Sequence, residues 1–164
     1  MAGEADRMPE FPPDNELPAS LELGPLVWRS LNVGVTVAGF QVYSTGVFFT
    51  LIARSKGPNL QKEEPLWGQP NVLRASWDAE PPAGSLRLGV RDTHIFPRGH
   101  GRSGHRLDLE AWTPFPLDGD VFFHLEWPAE GIGSSEFRVP RSAAARAVVL
   151  WPVLSRDVVR SLAD

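Results

Sequence analysis

Residues 121–127 have the sequence VFFHLEW, and this stretch decides the fold class. Apolar residues occupy every second position of it, with a phenylalanine, a histidine and a glutamate between them. Successive side chains of a β-strand leave the backbone on opposite faces, so a period of two predicts a half-buried strand. The side chains expected on the inward face are those of Val121, Phe123, Leu125 and Trp127.

Two longer segments carry the same alternation. Residues 106–127 and residues 26–54 each predict a strand, a turn and a second strand, as in a hairpin. In the earlier segment the apolar parity changes at Gly39, which predicts a β-bulge or a tight corner. Residues 44–46 predict a short hairpin loop in which Gly46 supplies a positive φ. The strand at 47–54 is apolar on both faces and is predicted to be the central strand of its sheet.

The rest of the chain predicts further short strands at 71–77, 86–91 and around 137–139, with Pro140 ending the last of these. Ser142 is predicted to cap a short helix over 143–147, followed by a strand over the apolar run 148–151. A last amphipathic turn is expected at 155–162. About seven to nine strands with frequent turn signals predict an all-β fold, specifically an antiparallel β-sandwich of immunoglobulin-like type with a short helical turn near the C-terminus.

Length and composition predict one globular domain. The chain has 164 residues, of which 42% are hydrophobic and 22% are charged, and these values are typical of a folded domain. Residues 1–20 are acidic and rich in proline, so they are predicted to form a flexible tail. Residues 21–164 are assigned to a single β-sandwich domain. Phe11 and Leu17 are the side chains of the tail that could still contact the domain.

Several classes of partner and site are disfavoured by composition. The absence of cysteine excludes disulfides, thiolate zinc sites and thiol nucleophiles. The first twenty residues contain no continuous apolar stretch, and no apolar run approaches the roughly 20 residues that span a bilayer. The isoelectric point of about 5.6 argues against nucleic acid. We therefore expect a cytoplasmic protein that binds neither membranes nor nucleic acid.

The loop 91–106 is the candidate binding segment. Between Leu86 and Leu107 five arginines are opposed by Asp92 alone, a local charge of +4 on a chain of net charge −4. Guanidinium groups suit carboxylate or phosphate, so the loop could bind an anion or an acidic protein surface. A solvated hairpin flank, or a partner for the chain's own acidic tail, is the alternative. The predicted binding residues are Arg91, His94, Arg98, His100, Arg102, His105, Arg106 and Trp112.

Two sharper interpretations of this loop lack the sequence context that they need. Gly99, Gly101 and Gly104 match the dinucleotide-binding pattern G-x-G-x-x-G, but residues 106–112 alternate like a strand where that pattern requires a helix. The spacing of the three histidines matches no recognised zinc pattern. A flexible hairpin loop with exposed histidines, without metal or cofactor, is predicted.

The sequence assigns no catalytic residue. It contains no G-x-S-x-G, H-E-x-x-H or P-loop motif, and Asp108 and Glu110 share a strand face as ordinary polar residues do. Trp112 has the outward parity of its strand, and an exposed tryptophan is a natural interface anchor. We therefore expect a non-enzymatic protein-interaction or accessory module, whose protein partner could be acidic. The alternative is a small-molecule or anion-binding domain, which could be an enzyme, using loop 91–106. A concave pocket beside that loop would favour the alternative, whereas an exposed Trp112 or Trp67 would favour the interaction module.

Three stretches resemble a known group of proteins: YSTGVFFTL at 43–51, FFHLEWPAEGI at 122–132 and AAARAVVLWP at 143–152. They resemble uncharacterised actinobacterial proteins, and the resemblance covers most of the chain after residue 20. That family carries no established activity or site residues. The resemblance therefore implies only a single stand-alone β-domain.

Overall fold

The protein is seen in a computed structural model, which describes residues 8–56, 86–102 and 105–151, without the side chains of His100 and Arg102. Eleven strands lie within these residues, together with two 3₁₀ turns at Pro128–Glu130 and Arg141–Arg146. The strands are β1 Glu16–Leu17, β2 Ala19–Leu21, β3 Val27–Arg29, β4 Val33–Val42, β5 Gly46–Ser55, β6 Arg87–Val90, β7 Phe96–Arg102, β8 Arg106–Pro114, β9 Val121–Trp127, β10 Ile132–Val139 and β11 Val148–Val149.

The strands form a large sheet, a small sheet and a two-stranded ribbon. The large sheet has the order β2-β4-β5-β8-β7, and β3 also pairs with β4. The small sheet has the order β10-β9-β6, and β1 pairs with β11 in the ribbon. Every pairing is antiparallel. The predicted all-β, antiparallel class is confirmed.

The inward side chains of the large and small sheets belong to one core. The rings of Phe49 in β5 and Phe123 in β9 meet edge to face, with centroids 5.1 Å apart. Phe123 also stacks on Phe137 of the neighbouring strand β10, with centroids 4.8 Å apart. Such aromatic pairs add roughly 0.5–1.5 kcal/mol each beyond the area they bury. The two sheets therefore face each other through an aromatic centre, and the finer immunoglobulin-like topology stays a prediction.

The alternation of residues 121–127 is confirmed. All four predicted inward side chains are fully buried, and the three side chains between them are half-buried on the outer face of the small sheet. The inward side chains are Val121, Phe123, Leu125 and Trp127.

The predicted pairing of residues 106–127 as a hairpin is wrong. β8 pairs with β5 and β7 in the large sheet, whereas β9 pairs with β10 and β6 in the small sheet. The connection between them carries the chain from one sheet to the other. Alternation shows which side chains of a strand are buried, but it carries no information on which strand lies beside it.

The first segment follows the prediction more closely. β4 and β5 are adjacent antiparallel strands, and β5 lies between β4 and β8, as expected for a central strand. Gly39 has φ 66°, and the register shifts between Ala38 and Gln41, which confirms the bulge.

Gly46 serves a different purpose from the one predicted, because it has no positive φ. A Cβ at Gly46 would lie 2.4 Å from the Thr113 carbonyl oxygen and 2.6 Å from the Trp112 ring. Close approach of β8 to β5, and not a left-handed turn, therefore requires glycine at this position.

Residues 96–102 form strand β7, although the sequence predicted a flexible loop there. The strand pairs with β8 from Phe96 opposite Trp112 to Arg102 opposite Leu107, with a register shift between Pro97 and Gly99. Proline and glycine weaken a strand, but an edge position tolerates both because one side of the ladder has no partner to lose. Pairing with β8 therefore overrides the weak local preference.

The C-terminal part of the prediction is confirmed in outline. A helical turn at Arg141–Arg146 precedes β11, and β10 ends directly before Pro140. Ser142 does not cap the turn, because Pro140 holds the cap position without a side-chain hydrogen bond. The predicted strand 71–77 and the terminal turn 155–162 lie outside the described residues.

The predicted tail differs from the structure after residue 7, where the description begins. β1 pairs with β11, and β2 pairs with β4. The side-chain amide of Asn15, which is buried, donates to the Trp151 carbonyl oxygen at 2.7 Å. The Glu16 carboxylate accepts a hydrogen bond from the Ser44 backbone N–H at 2.9 Å. The segment is ordered after residue 7 because backbone N–H and C=O groups pair in strand ladders independently of the acidic composition that predicted disorder.

We expect deletion of residues 1–18 to lower the thermal midpoint by at least about 4 °C. The deletion removes β1 and the Asn15 contacts, and a loss of about 2 kcal/mol gives a shift of this size in a domain of this length. Circular dichroism during a thermal scan measures the shift. Deletion of residues 1–7 is the control, since it removes none of these contacts. An unchanged midpoint after the longer deletion would show that the segment is not held as described.

Substitution of Gly46 by alanine is expected to destabilise the domain by about 2 kcal/mol or more, because the new methyl group overlaps backbone atoms that cannot move freely. Gly34→Ala is the matched control in β4, where an added Cβ meets no atom within 4 Å. Its effect should stay within about 1 kcal/mol. Urea denaturation of both variants measures the difference, and equal free energies of unfolding would contradict the close approach.

Candidate functional site

Residues Met8–Phe11, which we call the N-terminal strap, cross the outer face of the large sheet at Trp112. The Trp112 indole N–H donates to the Pro9 carbonyl oxygen at 2.9 Å. The Met8 sulfur lies 3.5 Å from the hydroxyl oxygen of Thr93. The strap therefore covers the C-terminal end of β8, where Trp112 is paired with Phe96 of β7.

Arg98 holds the other end of the strap. Its guanidinium group donates to the Glu10 carbonyl oxygen and lies 3.9 Å from the centre of the Phe11 ring. The centre of the Phe96 ring is 5.6 Å from the same guanidinium group. Arg98 therefore acts as a partner for the chain's own N-terminal segment, which was one of the alternatives for the basic loop. Its contacts are to a carbonyl oxygen and an aromatic ring, and not to carboxylates.

Trp112 is fully buried, so it is not the exposed tryptophan that would have favoured the interaction module. The outward parity itself is right: the inward neighbours Leu109 and Ala111 belong to the core cluster, and Trp112 does not. The ring lies against the backbone of Gly46 and meets Tyr43 edge to face at 5.7 Å. The sequence could not reveal the cover, since the strap lies about a hundred residues earlier in the chain.

Arg91 lies on the outer face of the small sheet. Its guanidinium group pairs with Glu136 at 3.1 Å and lies 4.7 Å from the centre of the Phe122 ring. The ring nitrogen of His124 is 3.5 Å from the same carboxylate. Arg91 is therefore engaged on a different sheet from Arg98.

Arg106 lies on the large sheet and pairs with Asp108 at 3.3 Å. Arg54 of β5 approaches the other oxygen of Asp108 at 2.8 Å. Two cations thus share one carboxylate, and these exposed pairs contribute little to stability. The side chain of Asp108 acts here as a counter-ion.

Two further predicted residues with described side chains, His94 and His105, lie at opposite ends of the β7–β8 pair. His94 is exposed and its ring meets Phe96 at 6.3 Å, and His105 is exposed near the far end of β8. The side chains of His100 and Arg102 lie outside the described part of the structure, as does the whole of Trp67. Within the described part, no group of three or more histidine, aspartate or glutamate side chains could hold a metal ion. Among the predicted residues whose side chains are described, Arg98 and Trp112 come together through the strap.

One open groove of about 310 Å³ lies away from the basic loop. The described residues that line it come from 21–27 and 36–40, along the edge of β4. It therefore does not supply the concave pocket beside 91–106 that an anion-binding site would favour.

A set of exposed apolar side chains escaped the sequence analysis. We call it the apolar ribbon, because it follows the pairing of β1 with β11 and the two residues after β11. Each of its side chains is about half exposed, between 46% and 58%. The run of four apolar residues after the 3₁₀ turn was its signal, but such a run predicts a buried strand equally well. The ribbon consists of Leu17, Val148, Val149, Leu150 and Trp151.

The helical segments of the described residues are the two short 3₁₀ turns, and no helix among them is long and apolar enough to cross a membrane.

Comparison of the chain with models of protein families, with curated proteins and with solved structures gives no match. The resemblance to uncharacterised actinobacterial proteins therefore stays a prediction.

Tyr43 offers a direct probe of the strap region. Burial, with a smaller contribution from the negative charge of Glu16, raises the pKa of Tyr43 above its ordinary value of 10.0. It is the single tyrosine of the chain, so ultraviolet absorbance reports its ionisation alone.

We expect the absorbance titration of Tyr43 to have its midpoint above pH 10.0. Glu16→Gln should lower the midpoint part of the way, because it removes the charge and keeps the burial. The unfolded phenol ionises first, so the free energy of unfolding should fall as pH rises from 10 through the folded pKa. Tyr43→Phe should remove that part of the fall. A midpoint at the ordinary value would contradict the burial of the phenol.

Proposed function

We propose that the protein is a non-enzymatic protein-interaction module and that the apolar ribbon is its contact surface. The observation that supports the proposal is the exposure of five large apolar side chains, three on the paired strands β1 and β11 and two on the residues that follow β11. Contiguous exposed apolar patches on folded domains commonly mark binding surfaces.

The ribbon is fixed in place although its side chains face solvent. The Leu150 backbone N–H donates to the Asn15 carbonyl oxygen at 2.8 Å, and Asn15 returns a side-chain bond to Trp151. Glu16 anchors the same strand to Ser44. A fixed surface binds with a smaller loss of conformational entropy than a mobile one, so these anchors favour association.

The chemistry of the ribbon favours an apolar protein partner. Two strands of two residues each are marginal in water by themselves, and covering their side chains would contribute about 25 cal/mol for each Å² of apolar surface. Trp151 belongs to a residue type, tryptophan, that is enriched at binding hot spots. The engaged arginines do not favour an acidic partner: Arg91, Arg98 and Arg106 already have partners in this chain.

We expect Trp151→Ser and Val149→Ser to abolish partner binding without unfolding the domain, since both side chains are already more than half exposed. Leu117→Ser is the matched control, because Leu117 is 88% exposed and lies outside the ribbon. The measurement is affinity capture from the native host with quantitative mass spectrometry, using the parent and the three variants, after circular dichroism has shown equal folding.

Proteins that the parent and Leu117→Ser retain, and that both ribbon variants lose, are the expected result. Light scattering of the parent over a range of concentrations shows whether the partner is a second copy of the chain. Equal capture by all four proteins would contradict the assignment of the ribbon.

A further inference from the structure

The N-terminal strap occupies its position on the large sheet by contacts that a separate peptide could make. From these contacts we infer that the surface around Trp112 and Arg98 is a binding site for extended, proline-containing peptides, and that the strap is its intramolecular occupant. This surface is distinct from the apolar ribbon, so the inference does not rest on the function proposed above.

The two hydrogen bonds to the strap recognise the main chain. Trp112 donates to the carbonyl oxygen of Pro9, and Arg98 donates to that of the next residue, Glu10. Every peptide carries such carbonyl groups, so these donors provide affinity without requiring a particular side chain. Selectivity then comes from the aromatic ring at the third position, since Phe11 lies against the Arg98 guanidinium.

The sequence of the strap and its continuation, PEFPP at residues 9–13, suits this kind of recognition. Proline fixes φ and removes N–H donors, so a proline-rich segment stays extended with carbonyl groups that need an outside donor. Such a segment loses little conformational entropy on binding. Surfaces lined by aromatic residues bind peptides of this chemistry.

The donor side chains are held in place on the sheet. The Trp112 ring lies against the Gly46 backbone and meets the Tyr43 ring edge to face, and Phe96 is the residue opposite Trp112 in β7. The indole N–H therefore points in a fixed direction before a peptide arrives. This preorganisation is what a recognition site requires.

The strap is held less firmly than the residues that follow it. β1 and β2 belong to strand ladders, whereas the strap pairs with no strand and Phe11 remains 62% exposed. The described contacts that hold the strap come from the side chains of Thr93, Arg98 and Trp112. Because the strap is tethered to the domain, it competes with a separate peptide at a high effective concentration. A partner peptide can replace the strap when the contacts of the strap are weakened.

The test uses the full chain with Pro9→Gly and Phe11→Ser, which we call the strap variant, and a synthetic peptide with the sequence of residues 7–14, RMPEFPPD. The readout is the indole N–H resonance of Trp112 in nuclear magnetic resonance spectra, assigned among the six tryptophans by Trp112→Phe. We expect the resonance to move in the strap variant, and the peptide to return it toward its position in the parent.

Matched controls separate recognition from general stickiness. A peptide with alanine in place of phenylalanine should bind more weakly, and a scrambled peptide should leave the resonance unmoved. Arg98→Ala in the strap variant should weaken peptide binding roughly tenfold, as expected for loss of a charged hydrogen bond and a cation–π contact. Arg29→Ala, an exposed arginine of β3 on the same sheet, should leave it unchanged.

Two outcomes would overturn the inference. One is a Trp112 resonance that stays unmoved by the peptide at millimolar concentration or responds equally to the scrambled sequence. The other is a parent chain that is a dimer in solution and becomes monomeric with the peptide, because the strap would then be exchanged between copies of the chain. A chain that carries both the strap changes and Trp151→Ser should bind the peptide as the strap variant does. The result of the peptide experiment is therefore independent of whether the apolar ribbon is a contact surface.

Discussion

The contact of Phe123 with the rings on both sides of it is the interaction on which the rest of the structure depends. Phe123 meets Phe49 of the large sheet at 5.1 Å and Phe137 of the small sheet at 4.8 Å, and Phe40 of β4 approaches it at 6.3 Å. Four strands from two sheets (β4, β5, β9 and β10) are thereby joined at one point of the core. Because the inner faces of the two sheets pack against each other in this way, the outer faces and the edges of the sheets are available for other contacts.

The two outer faces use this freedom differently. On the small sheet, ion pairs such as Arg87 with Glu126 at 3.2 Å and Arg91 with Glu136 cover the surface with matched charge. On the large sheet, a main-chain segment crosses Trp112 and satisfies its indole N–H. A buried indole without an acceptor would be costly. A segment that covers this outward tryptophan must therefore supply an acceptor, and the Pro9 carbonyl group of the N-terminal strap does so.

A single stretch of chain serves both candidate surfaces. The strap lies at Met8–Phe11, Asn15 fastens the C-terminal run, and β1 follows directly to form half of the ribbon. The acidic residues of this stretch take little part in these contacts, with Glu16 as the exception. The contacts are made mainly by the carbonyl groups, rings and backbone N–H groups of the stretch. Composition predicts the solubility of such a segment. Its position depends on the hydrogen-bonding groups and strands of the domain that can pair with its main chain.

The sequence by itself determined the all-β class, the bulge at Gly39, the inward side chains of residues 121–127 and the central place of β5, because each follows from local periodicity or from backbone sterics. It also placed Trp112 on an outer face and raised the N-terminal segment as a partner for the arginines. Only the tertiary structure decided that β8 and β9 belong to different sheets, that residues 96–102 pair as an edge strand, that Trp112 is covered, and that the run after residue 147 is exposed. The pairing of residues 96–102 with β8 is local, but the proline and glycines of this segment hide it from the sequence pattern. The other three features depend on contacts between residues far apart in the chain, and alternation along one strand carries no record of those contacts.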